Sequence, residues 1–126
     1  MSRVEVSGPF FNAAYTHART RKLLTACTRQ VAGQALAETQ HNLDRSIRHP
    51  TPYYETQINV KSASGYTQIV NDRGVIYGHW LEGDGSRNRT TRFKGYFSFR
   101  RATQKVQRMI PKLTRLPVRD FLRALR

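Results

Sequence analysis

The chain is short of several things, and each shortage closes off a class of reading. Cysteine occurs once, as Cys27, so no disulfide can form within the chain. Its apolar helical position makes Cys27 a packing residue, and such usage suits a reducing cytoplasm. No run reaches the roughly 18 apolar residues of a membrane span, and the first residues lack a secretory apolar stretch. The four histidines, His17, His41, His49 and His79, stand at no metal-ligand spacing with Cys27 or a nearby carboxylate. Acidic residues number only eight against 22 Lys and Arg. The one close acidic pair, Glu82 and Asp84, is surrounded by Arg87, Arg89 and Arg92, which would keep both ionised. A general acid–base pair needs one carboxyl held in a shifted environment, and none is offered here. Nucleophile-elbow and phosphate-loop signatures are missing as well. The sequence therefore predicts no catalytic residue, no metal and no cofactor.

What is present is positive charge. In 126 residues the formal charge is +14, with a pI near 11.1. Residues 96–126 carry nine Lys/Arg and one Asp, more than half of the excess. A free monomer so charged repels itself and favours anionic partners. The length suits one domain over residues 1–126, with 113–126 as a basic C-terminal extension. Hydrophobic content of 38% is low for a lone globular domain. A chain that gains further burial by assembling with its own copies tolerates that.

Periodicity predicts an α+β chain. Arg3–Ser7 alternates, with Val4 and Val6 on one side, and predicts a short strand ended by Gly8-Pro9. A long helix then runs from Ala13 or Arg19 to Ile47. Leu24, Cys27, Val31 and Ala35 make one apolar stripe on it, and Ala32, Leu36, Leu43 and Ile47 a second, rotated by about 100°. Either this helix bends near Gly33 or it is covered on two sides, by its own sheet and by a neighbour. His49-Pro50-Thr51-Pro52 ends it. Thr56, Ile58 and Val60 alternate as a strand, followed by a turn over Ser62–Gly65. Thr67–Asn71 and Val75–Leu81 flank Asp72-Arg73-Gly74 as a hairpin. The expectation is an antiparallel sheet of three to four strands, packed by the long N-terminal helix and by a C-terminal helix from Tyr96. On that last helix Phe99, Ala102, Val106, Met109, Ile110 and Leu113 form the buried side, and Pro111 kinks it. Val4, Val31, Ile58, Val60, Ile69, Val106 and Ile110 form the expected core.

Two charged features remain. Gly83–Gly95 reads as a long polar loop with Arg87, Arg89, Arg92 and Lys94, mobile until a neighbour orders it. Arg101, Lys105, Arg108, Lys112 and Arg115 recur at +4, +3, +4, +3, a ridge opposite the apolar face of the last helix. That ridge could face DNA phosphates, acidic neighbouring proteins, or solvent.

The order Tyr77-Gly78-x-x-Leu81-Glu82-Gly83-x-Gly85, followed by Phe97-x-Phe99-Arg100-x-Ala102, resembles the neck proteins of long-tailed, siphophage-type bacteriophages: the head–tail joining or tail-completion family. In that family a strand ends in Tyr-Ala-x-x-hydrophobic-Glu-aromatic-Gly-Thr-Gly, and an aromatic-hydrophobic-Arg-Pro-Ala motif opens the last helix. Here Gly78 replaces Ala, the aromatic before Gly83 is missing, and Arg101 stands where Pro would be. The likeness spans roughly residues 3–113. It implies a structural virion protein without enzymatic activity. Such a protein forms a ring, commonly of six copies, between the head-closure or connector protein and the tail tube or its terminator. The ring surrounds the channel through which genomic DNA passes. The implied location is the virion neck, after synthesis in the host cytoplasm, with no membrane partner. Tyr77, Trp80, Glu82, Arg87, Arg89, Arg92 and Lys94 are then the interface candidates, and the ridge from Arg101 to Arg115 serves the channel or assembly. Two other readings fit the composition: a toxin-type ribosome-dependent ribonuclease, which works with Arg, Lys, Tyr and His and no metal, and a basic nucleic-acid-binding module.

Overall fold

The computed structural model describes residues 2–46, 52–63 and 65–126. Residues 2–7 belong to no helix or strand, and a 3₁₀ turn follows over Pro9–Phe11. Eight further elements follow in order: α1 Ala13–Ser46, α2 Pro52–Gln57, β1 Asn59–Ser62, β2 Gln68–Asn71, α3 Gly78–Glu82, α4 Arg87–Thr90, α5 Ser98–Leu113 and α6 Arg115–Ala124.

The frame is an antiparallel pairing of α1 with the α5–α6 arm. Polar contacts mark the register. Asn42 Nδ2 donates to the Ser98 carbonyl at 3.1 Å, Lys105 pairs with Glu38 at 3.0 Å, and the Tyr15 hydroxyl donates to the Ala124 carbonyl at 2.8 Å. Going forward along α5–α6 thus means going backward along α1. The apolar spacing of α5 places Ala102 and Val106 in this seam, where both are buried. The 3₁₀ turn is fastened to the start of α1. The Thr16 hydroxyl donates to the Phe10 carbonyl, and Asn12 Oδ1 accepts the Tyr15 N–H at 3.0 Å, capping the helix.

The apolar centre is small. Leu43, Tyr54 and Ile58 form it, with Leu36, Val70, Val75, Leu81 and Phe99 packed around them. The Tyr54 hydroxyl donates to Asp72 Oδ2 at 3.1 Å. Burial first, and then the neighbouring Asp72 charge, pushes the Tyr54 phenol well above its ordinary range.

The expected fold class is overturned. Among the described residues there is one sheet, of two antiparallel strands, with Val60 opposite Val70 and Lys61 opposite Ile69. The rest is mostly helical. Two expected strands are missing for different reasons. Residues 2–7 have the alternation, but among the described residues no strand pairs with them. Val75–Leu81 does not form the return strand of a hairpin. Asn71 Oδ1 accepts the Arg73 N–H and Asp72 Oδ1 accepts the Gly74 N–H, both at 3.0 Å. These side chains wind the backbone into consecutive turns that lead into α3, which is how Asn and Asp compete with sheet pairing.

The core expectation changes accordingly. Ile58 and Val106 are buried, and Val31 is half-buried. Val4 is 88% exposed, Val60 and Ile69 are exposed on a sheet that has no third strand among the described residues, and Ile110 is exposed on α5 beside an open groove. On α1 the stripe with Ala32, Leu36 and Leu43 faces the core. Cys27, Val31 and Ala35 of the other stripe line an open groove. Ile47 and the helix-stopping His49-Pro50-Thr51 lie outside the described residues, as does part of the Ser62–Gly65 turn. The basic extension is folded: α6 lies against α1, with Pro117 and Phe121 facing Leu23 and Ala26. Pro111 sits within α5, which ends two residues later at Leu113, with Thr114 as its C-cap.

Candidate assembly site: a carboxylate clamp and its charged loop

Glu82 ends the five-residue helix α3, and its carboxylate reaches the start of α5. One oxygen accepts the Phe99 N–H at 3.0 Å and the other accepts the Arg100 N–H at 2.9 Å. The first N–H groups of a helix have no partner within the helix, and that end carries partial positive charge. A carboxylate placed there satisfies both needs. The backbone completes the clamp. The Tyr96 N–H donates to the Leu81 carbonyl at 2.6 Å and the Phe97 N–H to the Glu82 carbonyl at 3.1 Å.

Two glycines make this approach possible. Gly83 and Gly95 have φ of 108° and 113°. A Cβ on Gly83 would collide with the Lys94 carbonyl and the Phe97 ring, and one on Gly95 would collide with Gly83 itself. The strands of chain entering and leaving the loop therefore touch backbone to backbone. Phe97, just before α5, also has a positive φ of 55°, an uncommon conformation for a bulky residue. Its amide is tied to Glu82, its ring lies against Gly83, and the Arg100 guanidinium sits over that ring at 4.8 Å.

The segment from Gly83 to Gly95 is folded on itself. Asn88 is its hub, buried at 4% exposure. Its Oδ1 accepts the Gly85 N–H at 3.0 Å, and its Nδ2 donates to the carbonyls of Trp80 at 2.9 Å and Phe93 at 3.2 Å. The ring of Phe93 packs between Trp80 and Tyr96, at 4.6 and 4.8 Å. This is a compact loop whose ends meet and whose interior is filled by its own side chains. The expectation of a loop that gains order only against a neighbour is thus replaced by one built around Asn88. Nothing in the sequence singled out Asn88, which lies between Arg87 and Arg89 and reads as solvated.

The expected site residues separate into groups. Arg87, Arg89 and Arg92 are exposed on or beside α4. Lys94 turns back, its Nζ donating to the Asn88 carbonyl at 2.9 Å. Glu82 meets backbone amides of α5 and no guanidinium of the loop. Trp80 of α3 is half-buried against the loop, and Tyr77 packs on Tyr54 with ring centres 5.7 Å apart and planes tilted by 44°, while keeping an exposed edge. Of the ridge, Arg101, Arg108, Lys112 and Arg115 are exposed. Lys105 is not a free cation. It pairs with Glu38, a buried carboxylate that also accepts from Gln34 Nε2 at 2.9 Å. The Lys105 hydrogen bond holds the Glu38 carboxyl below its ordinary range, against the upward pull of burial.

His17 and His41 are exposed on α1, and exposed His79 has Nδ1 3.1 Å from Asp84 Oδ1. Among the described residues no group of His, Cys, Asp and Glu could hold a metal ion. No helix of the described residues is long and apolar enough to cross a membrane. No family model matches the chain, and no curated protein or solved structure matches it either.

Proposed function

We propose that this chain is a non-catalytic structural subunit of the neck of a siphophage-type bacteriophage. In this reading it assembles into a ring between head connector and tail tube, around the channel for DNA. The observation that carries the reading is the Glu82 clamp on Phe99 and Arg100. The two halves of the neck-like motif lie far apart in sequence, and this clamp gives them one shared task. Glu82, Gly83 and Gly95 fix the base of a loop, and Arg87, Arg89 and Arg92 project from it. A charged loop on a rigid base serves binding better than turnover.

Apolar exposure favours the same reading. Phe10, Phe11, Ile76, Ile110, Leu116 and Leu122 are each at least 40% exposed, while the buried centre is small. Such a surface suits a chain that completes its burial against copies of itself. The two-stranded sheet departs from the three to four strands that the resemblance implied, so the motif and the exposed surface carry the proposal.

The test is complementation. Phage lacking this chain should accumulate filled heads and separate tails, and purified protein should restore joined particles. Normal particles without it would overturn the proposal. Expression in bacteria should leave growth unchanged, whereas arrest with cleaved messenger RNA would favour the ribonuclease reading.

A further inference from the structure

The groove lined by Cys27, Val31 and Ala35 of α1, Gln68 and Val70 of β2, Ile110 of α5 and Thr114 at its end has a volume of about 360 Å³ and is open to solvent. Its lining is chiefly apolar, and its side wall is a sheet edge. The Ala63 N–H donates to the Thr67 carbonyl, so 63 and 67 are a hydrogen-bonded pair. Alternation in an antiparallel ladder then makes Lys61–Ile69 and Asn59–Asn71 hydrogen-bonded pairs, and Val60–Val70 and Ser62–Gln68 non-bonded ones. Gln68 and Val70 therefore turn their N–H and C=O groups away from β1. Both residues border the groove, and among the described residues no backbone group takes those bonds. The groove lies beside an unpaired edge.

The same chain carries a segment with the alternation of a strand but no partner. Residues 2–7 are exposed and outside any helix or strand. Arg3 and Glu5 pair at 2.7 Å on one side, which leaves Val4 and Val6, 88% and 60% exposed, on the other. This segment cannot serve its own groove. The 3₁₀ turn is held at the level of Thr16, and at 1.5 Å per residue Cys27 lies about 16 Å further along α1 and Ala35 about 28 Å. Counted from Pro9, Val6 reaches about 10 Å and Val4 about 17 Å when fully extended, so the arm's tip comes no further than the Cys27 end and the two valines cannot both lie along their own groove.

We infer that residues 2–7 of a second copy of this chain add as a strand to the free edge of β2, placing Val4 and Val6 on the apolar floor formed by Cys27, Val31 and Ala35. Strand addition supplies main-chain hydrogen bonds for affinity and side-chain pockets for register. It also blunts an edge that would otherwise invite aggregation. The contact joins two different patches, so it runs head to tail and can close into a ring. The inference rests on the reading of the chain as a self-assembling subunit, and it names the segment that links one subunit to the next.

Cys27, the only cysteine, supplies the test. A disulfide needs Cα atoms within about 7 Å. Val4→Cys and Val6→Cys are each oxidised gently and resolved by mass under denaturing, non-reducing conditions. Both sites are exposed in the single chain, so thermal unfolding should match the parent. At least one variant should give a covalent ladder of dimers and longer chains. Glu5→Cys, facing the other way, should cross-link at least tenfold less, and Cys27→Ala should abolish the ladder. A disulfide closed within one chain would show that the arm folds onto its own groove, and a ladder surviving Cys27→Ala would show arms joining each other. Assembly without cross-linking would overturn the arm inference alone. A protein that neither cross-links nor assembles at any concentration would overturn this inference and the neck reading together.

Discussion

The carboxylate of Glu82 accepts the backbone N–H of Phe99 at 3.0 Å, joining the end of α3 to the first turn of α5 across the whole charged loop. With the second bond, to Arg100, it does the work of an N-cap residue from a distant position. Glu82→Ala should destabilise the fold by about 1–2 kcal/mol. Glu82→Gln keeps an acceptor but not the charge, and should recover part of that loss. Urea unfolding of the three proteins checks the order. Equal stability of parent and Glu82→Ala would mean that the cap is not energetically coupled to the fold.

Gly83→Ala and Gly95→Ala should each cost about 2–4 kcal/mol, since each adds a collision to a positive φ. Gly33→Ala serves as the contrast. It lies inside α1 with open space at its Cβ, and the change should be neutral or stabilising by up to about 1 kcal/mol. Thermal melts of the three variants are the measurement.

These two cases show what could be read from residue order. The spacing of Glu82, Gly83 and Phe99 marks residues that the fold brings together, and the apolar periods mark α1 and α5. The clamp's geometry was not legible, because capping by a residue 17 positions away leaves no local pattern. Tyr77 and Trp80 imitate a strand, but Asn71 and Asp72 spend their side chains on turns instead. The alternation of Val4 and Val6 predicts a strand, yet a strand forms only where an edge is within reach.

The Lys105–Glu38 pair ties α5 to α1. Glu38 has its pKa lowered in the fold, so the unfolded chain binds that proton more tightly. The pair's contribution should be complete above the ordinary Glu range, near 4.5, and should fade as pH falls through the lower folded value. Glu38→Gln should remove this acid-side dependence. A double-mutant cycle with Lys105→Met should give a coupling of about 1 kcal/mol at neutral pH and little in acid, once the Glu38 carboxyl is protonated.

Replacing Arg101, Arg108 and Lys112 together by Gln should leave the melting temperature within a few degrees, because all three are exposed. Particle completion should weaken, most relative to the parent at low salt, where the ridge's attraction is least screened. Retardation of random duplex DNA by the parent protein, falling steeply with salt and lost in the triple variant, would assign the ridge to DNA. Normal completion by the triple variant at every salt would reduce the ridge to a solvated face.

The central claim is that the chain completes itself by closing on its own copies, and native mass measurement over a rising concentration series tests it most directly. The account predicts a concentration-dependent shift from the 14.6 kDa monomer to one closed species, about 88 kDa for six copies, with no open-ended series at saturation. A monomer at every concentration, or unbounded growth without a closed species, would contradict it.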